Sequence, residues 1–265
     1  MRPAVTADGR PARPSDDLAV RCLPSGRRLP ADTVEWLVAG LVDALPSLKM
    51  RELFELRRDM LTDADYIVAT VDTSRDQVVG LLTSRWVTLP SRTPCLHVMV
   101  QFVGEKYRHG TVFRRSWSRH FSLLLAEGRP FPDVLALKTY NPVAYCAMLA
   151  FSGHPDVGFF PGGGTAPEAG LRRLAAEVAA TVSPGHAFDP ETGVISGVGV
   201  PTDLYPALPV STMAAVNEHF ARNVRPGDRV LCLLHVPTSE GCNSILAALG
   251  LPEDGLRTPV AAGRP

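Results

Sequence analysis

Two spacings of hydrophobic positions alternate along this chain, and their order predicts a mixed α/β fold. Apolar residues three and four apart predict a helix from Asp32 to the stop at Pro46, and a second helix over about 48–61. Short, densely apolar runs between turn residues predict strands instead. In the first third of the chain these strands are expected at 17–23, 66–71 and 77–87.

The central block of the chain alternates strand and helix around a glycine-containing loop. Strands are predicted at 96–103 and 134–140, and helices at 111–126 and 141–151. The loop from Glu105 to Gly110 joins the first of these strands to the first of these helices. Unpaired backbone N–H groups and the helix dipole converge at such a helix start. The block therefore predicts an anion site near Gly110, and we expect a ligand that carries phosphate.

The last hundred residues differ in composition from the rest of the chain, and this difference suggests where the core ends and an insertion begins. A short strand is predicted at 157–160 and a strongly apolar one at 229–236, with two helices and many Pro and Gly residues between them. We predict a disordered leader at 1–16, a core at 17–160, an insertion at 161–228, a final core strand at 229–240 and a mobile tail at 241–265.

Composition narrows the possible environment of the protein. The 265 residues are 45% hydrophobic and carry a formal net charge of +0, which gives no overall charge argument for nucleic acid or membrane surfaces. No apolar run approaches the roughly 18–20 residues of a membrane span, and the first residues lack the apolar segment of a signal peptide. Five scattered cysteines contain no CxxC pair. We expect a reduced, cytoplasmic protein without a metal site or a disulfide framework.

The element order resembles the fold of the Gcn5-related N-acetyltransferases (GNAT) over residues 17–160 and 229–236. The pyrophosphate loop of that family lies where Tyr107-Arg-His-Gly-Thr-Val112 stands here, and Gly110 matches its glycine. The resemblance implies a mixed, mostly antiparallel sheet flanked by helices, with a helical insertion before the last strand.

A second motif of that family is partly retained. Asn141, Ala144 and Phe151 match it, whereas Met148 occupies the position of the tyrosine that protonates the leaving thiolate. A thioether cannot donate a proton. Either this acid is absent, or Tyr145 or another group replaces it.

The resemblance implies an acyltransferase that moves an acyl group from a coenzyme A thioester to an amine of a small molecule, as in secondary metabolism. The insertion would then set the specificity for the acceptor. The residues expected to bind the coenzyme are Val103, Arg108, His109, Gly110, Thr111, Val112 and Asn141. For Asn141 an ordinary helix cap is an equally simple interpretation, because Pro142 follows it at the first helical position.

The candidate catalytic residues are His97, Glu105 and Tyr145. His97 alternates with Met99 and Gln101 on one face of the predicted strand, and an imidazole titrates in the range that suits a general base. Glu105, at the end of the same strand, is a second candidate base. A buried structural histidine and a solvated glutamate remain alternative interpretations.

Two other functions remain open. The helix after Gly110 has a basic face with Arg114 and Arg115, which would suit a donor carried on an acyl carrier protein or an aminoacyl-tRNA. The third hypothesis is a catalytically inactive binding module, because Met148 replaces the family tyrosine. Oligomeric state and the identity of the acceptor are not predicted.

Overall fold

The computed structural model describes residues 17–108, 110–162 and 168–252, and in this part of the chain eight strands form one sheet. The strands are β1 (Leu18–Leu23), β2 (Tyr66–Asp72), β3 (Gln77–Thr88), β4 (Pro94–Val103), β5 (Val134–Thr139), β6 (Gly158–Phe160), β7 (Val194–Ile195) and β8 (Arg229–His235). Their order is β1-β2-β3-β4-β5-β8-β6, and β7 also pairs with β8. All pairs are antiparallel except β4–β5, which confirms the predicted fold class.

Helices cover both faces of this sheet. They are α1 (Ala31–Ala44), α2 (Met50–Leu56), α3 (Asp59–Thr62), α4 (Val112–Ala126), α5 (Pro142–Leu149), α6 (Ala169–Val182), α7 (Ala214–Asn223) and α8 (Ser239–Leu249). One core cluster joins the sheet to α4, α5, α7 and α8, and we call this side the α4 face. Two further clusters join the opposite side to α1–α3 and to α6, and we call it the α1 face. No helix within the described ranges is long and apolar enough to cross a membrane.

An irregularity in β4 changes which of its side chains face which side of the sheet. Thr83 of β3 pairs with Val100, but the next residue, Ser84, pairs with Val98, so Met99 is an extra residue in β4. A period of two cannot continue through such a bulge. Gln101 therefore lies opposite Leu82, on the α4 face, and does not share a face with His97 as the uninterrupted alternation predicted.

The same strand separates from its parallel neighbour beyond this point. The pairing of β4 with β5 runs from Cys95↔Val134 to Val98↔Leu137 and ends there. On its other edge β5 continues to pair with β8 as far as Thr139. The carboxyl-terminal half of β4 therefore leaves an opening in the middle of the sheet.

Several segments differ in detail from the sequence-based expectations. The second predicted helix is divided into α2 and α3, because Arg57 leaves the helical conformation and pairs with Asp59. In the predicted insertion, α6 packs on β6 and β8, and β7 adds to the sheet. Residues 241–249, expected to begin a mobile tail, form most of α8, which packs against α4. The predicted leader lies outside the described residues.

Candidate active site

A cavity of about 570 Å³ occupies the opening between β4 and β5. Every residue of β4 from Val98 to Val103 lines it. Its wall on the α4 face includes Phe113, Ala144 and Met148, and its wall on the α1 face includes Leu45, Leu53 and Met60. The cavity therefore passes through the plane of the sheet, and a ligand on one face can meet a ligand on the other.

One end of the cavity, which we call the donor end, is formed by the loop 104–111 and the first turns of α4 and α5. Arg108, Gly110, Phe113 and Asn141 line it. The Gly110 N–H donates to the Tyr107 carbonyl at 3.2 Å, and a Cβ added at Gly110 would lie 3.1 Å from the same oxygen. Because Thr111 gives α4 no side-chain cap, we expect the N–H groups of its first turn to be the free donors at this end. His109 lies outside the described residues.

The structure explains how a valine can stand at position 112, where the family has a small residue. Val112 is 1% exposed, and it does not appear among the described residues that line the cavity. Its side chain points at β3, where a Cβ added to Gly80 would lie 2.6 Å from the Val112 Cγ1. The small residue is thus on the strand rather than in the loop, and the valine side chain is kept away from the cavity.

Two side chains fasten the loop to neighbouring elements. Glu105 accepts a short hydrogen bond from the Ser47 hydroxyl, which lowers the pKa of this exposed carboxyl group. The Tyr107 hydroxyl donates to Asp72 at 2.7 Å. Burial and this carboxylate raise the pKa of Tyr107 to about 12. Glu105 therefore stays ionised and holds the loop against the segment between α1 and α2.

The opposite end, which we call the acceptor end, lies on the α1 face. Arg57, Lys138 and Arg229 line it from α2–α3, β5 and β8. Residues 198–210, which we call the cover segment, supply most of the remaining wall. A Cβ added at Gly199 would lie 2.1 Å from the guanidinium carbon of Arg229, so the backbone of the cover segment packs directly against that side chain.

The basic residues at the acceptor end have unusual electrostatics. Burial lowers the pKa of Lys138 to about 8, and the positive charges of Arg57 and Arg85 add to this effect. Its ammonium group donates to the Val182 carbonyl and the Ser183 hydroxyl, both at 2.9 Å. Burial also lowers the pKa of Arg229, whose guanidinium lies 5.7 Å from the centre of the Tyr140 ring.

His97 is placed close to this basic group but outside the cavity lining. It is 4% exposed, and neither ring nitrogen has a hydrogen-bond partner among the described residues. Burial, followed by the charges of Lys138, Arg85 and Arg57, lowers its pKa well below 6.5. The imidazole is therefore neutral, and its role as a general base stays a prediction.

Tyr145 is turned away from the cavity. Its hydroxyl donates a short hydrogen bond to the Pro161 carbonyl, and its ring packs edge-on against Phe159 and Phe220. Burial raises its pKa strongly. Met148, one turn later on α5, lines the cavity in its place. Met148 therefore lines the cavity and Tyr145 does not. The role of Tyr145 as the acid stays a prediction that the geometry does not support.

The cover segment brings a different phenol to the cavity. Tyr205 stacks against Tyr140 with ring centres 5.7 Å apart. Burial raises the pKa of Tyr205, whereas the Arg229 charge and a hydrogen bond from the Asn141 side chain oppose this rise. Sequence reasoning missed Tyr205 because only its position in a Pro-rich stretch distinguishes it from a surface tyrosine.

Asn141 combines the two roles that its sequence context suggested. Its side-chain oxygen accepts from the Val143 N–H at 2.9 Å, so it caps α5, with Pro142 at the first helical position. This leaves the amide NH₂ as the group that interacts with Tyr205. The cap is confirmed, and the contact with a coenzyme stays a prediction.

The described residues hold no cluster of three or more His, Cys, Asp or Glu side chains suited to a metal ion. The remaining predicted coenzyme-binding residues are Val103, which lines the cavity, and Thr111, which precedes α4.

Comparisons with known proteins found similar solved structures only. No family model and no curated protein matches this chain. Among solved structures, an aminoglycoside acetyltransferase from an uncultured soil metagenomic sample is 13% identical at a TM-score of 0.36, covering 54% of this chain and 91% of that one. A GNAT-family N-acetyltransferase from Escherichia coli in complex with CoA is 18% identical at 0.35, covering 48% and 64%.

A third solved structure covers more of the chain. A putative GNAT-family acetyltransferase from Desulfovibrio desulfuricans is 12% identical at a TM-score of 0.36, covering 83% of this chain and 99% of that one. At such identities and scores these likenesses identify no activity. The strand order, with β8 between β5 and β6 and an opening between β4 and β5, shows that the fold is GNAT-like.

Proposed function

We propose that this protein transfers an acyl group from a coenzyme A thioester to an amine inside the cavity between β4 and β5. The observation that carries the proposal is the passage of this cavity through the sheet. A thioester reaching in from the donor end would present its carbonyl in the opening. An amine held at the acceptor end could then attack it from the other face.

The reaction needs little covalent participation by the protein. The amine nitrogen attacks the thioester carbonyl carbon, the C–S bond breaks, the coenzyme leaves as a thiolate, and the nitrogen loses a proton. Positioning of the two reactants contributes most of the rate. The bulge at Met99 turns the edge of β4 toward the cavity, where a backbone N–H could polarise the carbonyl oxygen.

Of the three tyrosines that line the cavity, Tyr107, Tyr140 and Tyr205, we take Tyr205 as the acid. Its raised pKa keeps the phenol protonated at neutral pH, so it can donate a proton to the thiolate. The Asn141 amide at the start of α5 orients it. Tyr107, another phenol in the lining, already donates to Asp72. For the base, neutral His97 and ionised Glu105 stay the candidates, and each would need water to relay the proton.

The lining also bears on the acceptor. Two solved structures of an aminoglycoside acetyltransferase carry trehalose or sisomicin. In the cavity described here, Arg57, Arg108, Lys138 and Arg229 line the wall, and no Asp or Glu does so among the described residues. A polycationic acceptor would meet repulsion here. We therefore do not extend the aminoglycoside activity to this chain.

A matched pair of alanines on α5 tests the donor site. Ala144 lines the cavity, whereas Ala147 does not, and both are half-buried. Ala144→Trp should fill the donor end and weaken acetyl-coenzyme A binding by about 100-fold or more, measured by calorimetry. Ala147→Trp should bind as the wild type does.

The outcome separates the rival functions. Equal affinity of both variants would place the coenzyme elsewhere. Binding of thioester without transfer to any amine would favour the inactive binding module. Transfer from a carrier protein or aminoacyl-tRNA, with no affinity for free acyl-coenzyme A, would keep the fold and change the donor.

A further inference from the structure

We propose that the amine acceptor also carries a negatively charged group, a carboxylate or a phosphate, and that Lys138 and Arg229 bind this group. The inference rests on the proposed function, since it names the substrate class of the same site. It comes from the charges on the wall of the acceptor end.

Sheet register places both residues on the same side. Lys138 lies opposite Leu231 in the β5–β8 pairing, and Arg229 is two residues before Leu231 on β8. Leu231 belongs to the core cluster beneath α6, so all three side chains lie on the α1 face. The donor end, with Arg108 and the start of α4, lies at the other side of the opening. Lys138 and Arg229 therefore lie on the opposite face of the sheet from the start of α4.

The protein offsets the positive charge at the acceptor end only in part, because Asp59 acts on Lys138 and Asp228 acts on Arg229 without forming a salt bridge to either. Arg57 is paired with Asp59, with two contacts of 2.9 Å. Among the described residues neither Lys138 nor Arg229 has a salt bridge, and both donate only to neutral oxygen atoms that the structure assigns to them. Cations withdrawn from water are normally paired. Lys138 and Arg229 are half-buried and have no salt bridge among the described residues, so this wall is suited to bind an anion.

The pKa shifts of the neighbouring basic groups also favour binding of an anion. Burial and neighbouring positive charge lower the pKa of Lys138 and of His97, so the charged forms are disfavoured in the free protein. A bound anion would offset this penalty, because an opposite charge within a few ångströms favours the protonated amine. Perturbed groups of this kind concentrate at functional sites.

The cover segment adds specificity to the same wall. It is held over the cavity by a salt bridge from Lys49 to Asp203 and by a hydrogen bond from the Gly199 N–H to the Gly227 carbonyl at 2.7 Å. Gly199 lets the segment lie directly on the Arg229 guanidinium. The guanidinium fork is suited to a carboxylate or phosphate, whereas Lys138 acts as a point charge.

The test compares amines with and without an anionic group, by calorimetry with the full-length protein. 4-(Aminomethyl)benzoate is compared with 4-(aminomethyl)benzamide, and 2-aminoethyl phosphate with ethanolamine. The wild type should bind the anionic member of at least one pair about tenfold or more tightly. The pair that shows the preference distinguishes carboxylate from phosphate. Equal or tighter binding of the members without an anionic group in both pairs would overturn the proposal.

Variants then locate the preference. Lys138→Met and Arg229→Met should each reduce it about tenfold, and Arg229→Lys should restore part of it. Lys138 also donates hydrogen bonds to the end of α6, so its removal could disturb the fold. A further variant therefore keeps Lys138 and adds a carboxylate elsewhere on the wall. Ala207→Glu puts a carboxylate on the cavity wall and should remove most of the preference, whereas Ala215→Glu, on the exposed side of α7, should leave it intact. A preference that survives in folded Arg229→Met and Ala207→Glu proteins would contradict the assignment.

Transfer assays separate this inference from the proposed function. Anion preference without any acyl transfer would retain the anion site and reject the acyltransferase. Transfer to amines without an anionic group, with no preference for the anionic probes, would retain the acyltransferase and reject the anion site. If the Lys138 and Arg229 variants altered discrimination between succinyl- and acetyl-coenzyme A and not between acceptors, the anion would belong to the acyl group, and the proposal would fail.

Discussion

The two ends of the cavity are built in opposite ways. At the donor end, the loop 104–111 runs directly into α4, and the N–H groups of the first turn of α4 are the expected donors. At the acceptor end, Arg57, Lys138 and Arg229 come from distant parts of the chain, and the polar surface includes these half-buried charged side chains.

This contrast indicates how each end can vary. A phosphate bound by backbone N–H groups depends on the path of the chain, so individual side chains there can change while the path is kept. An acceptor bound by side chains depends on their identity. In the proposed function, Tyr205 on the cover segment supplies the phenol that Met148, on α5, lacks.

The largest effect that sharpens the comparison concerns the two tyrosines. Tyr205→Phe should lower kcat by about 100-fold with little change in acetyl-coenzyme A affinity, because it removes the acid. Tyr145→Phe should lower the free energy of unfolding by about 1–3 kcal/mol, because the buried Pro161 carbonyl loses its donor, and leave kcat of the folded enzyme near that of the wild type. Steady-state kinetics and denaturant unfolding measure kcat and stability for both variants. A large loss of kcat in Tyr145→Phe, with kcat unchanged in Tyr205→Phe, would assign the acid to Tyr145.

An intermediate effect tests the shape of the donor end. Gly80→Ala adds a Cβ 2.6 Å from the Val112 Cγ1, which should displace the start of α4 and weaken acetyl-coenzyme A binding about tenfold. Val112→Ala in the same chain should restore most of the affinity. Calorimetry of the single and double variants measures the coupling. Binding of the charged acceptor probes serves as the control and should not change, and an equal loss at both ends would contradict their separation.

The smallest effect concerns the basic face of α4. Arg114→Glu combined with Arg115→Glu should change affinity for free acetyl-coenzyme A less than about threefold, since these side chains already have structural contacts. Arg115 donates to the Leu18 carbonyl at 3.1 Å, and Arg114 lies beside Gly250 at the end of α8. A steep loss, with binding that weakens strongly as salt rises, would show a large polyanionic donor instead.

The elements that form the donor end could be predicted because their signals are local. The apolar spacing of Trp117, Phe121 and Leu124 gives α4 its buried face, and Asn141-Pro142 begins α5, so the strand–loop–helix order could be predicted directly. Strand order followed only from the family resemblance. The bulge at Met99 could not be predicted, because a single inserted residue leaves the apolar pattern of β4 almost unchanged.

The acceptor end could not be predicted for a different reason. Lys138 and Arg229 each look like an isolated basic residue in an apolar strand, and they become neighbours only because β8 inserts beside β5. Tyr145 had the right chemistry and helix, but its hydroxyl is taken by Pro161 on the far side of α5. Tyr205 reaches the cavity through a segment without regular structure, for which periodicity gives no signal.

The central claim is that acyl transfer takes place in the opening between β4 and β5. A crystal structure of the protein with acetyl-coenzyme A tests it most directly. We predict the pyrophosphate at the first-turn N–H groups of α4, and the thioester between Val98 and Leu137 where the two strands separate. Coenzyme bound outside this cavity, or a cavity that stays closed to it at saturating concentration, would contradict the account.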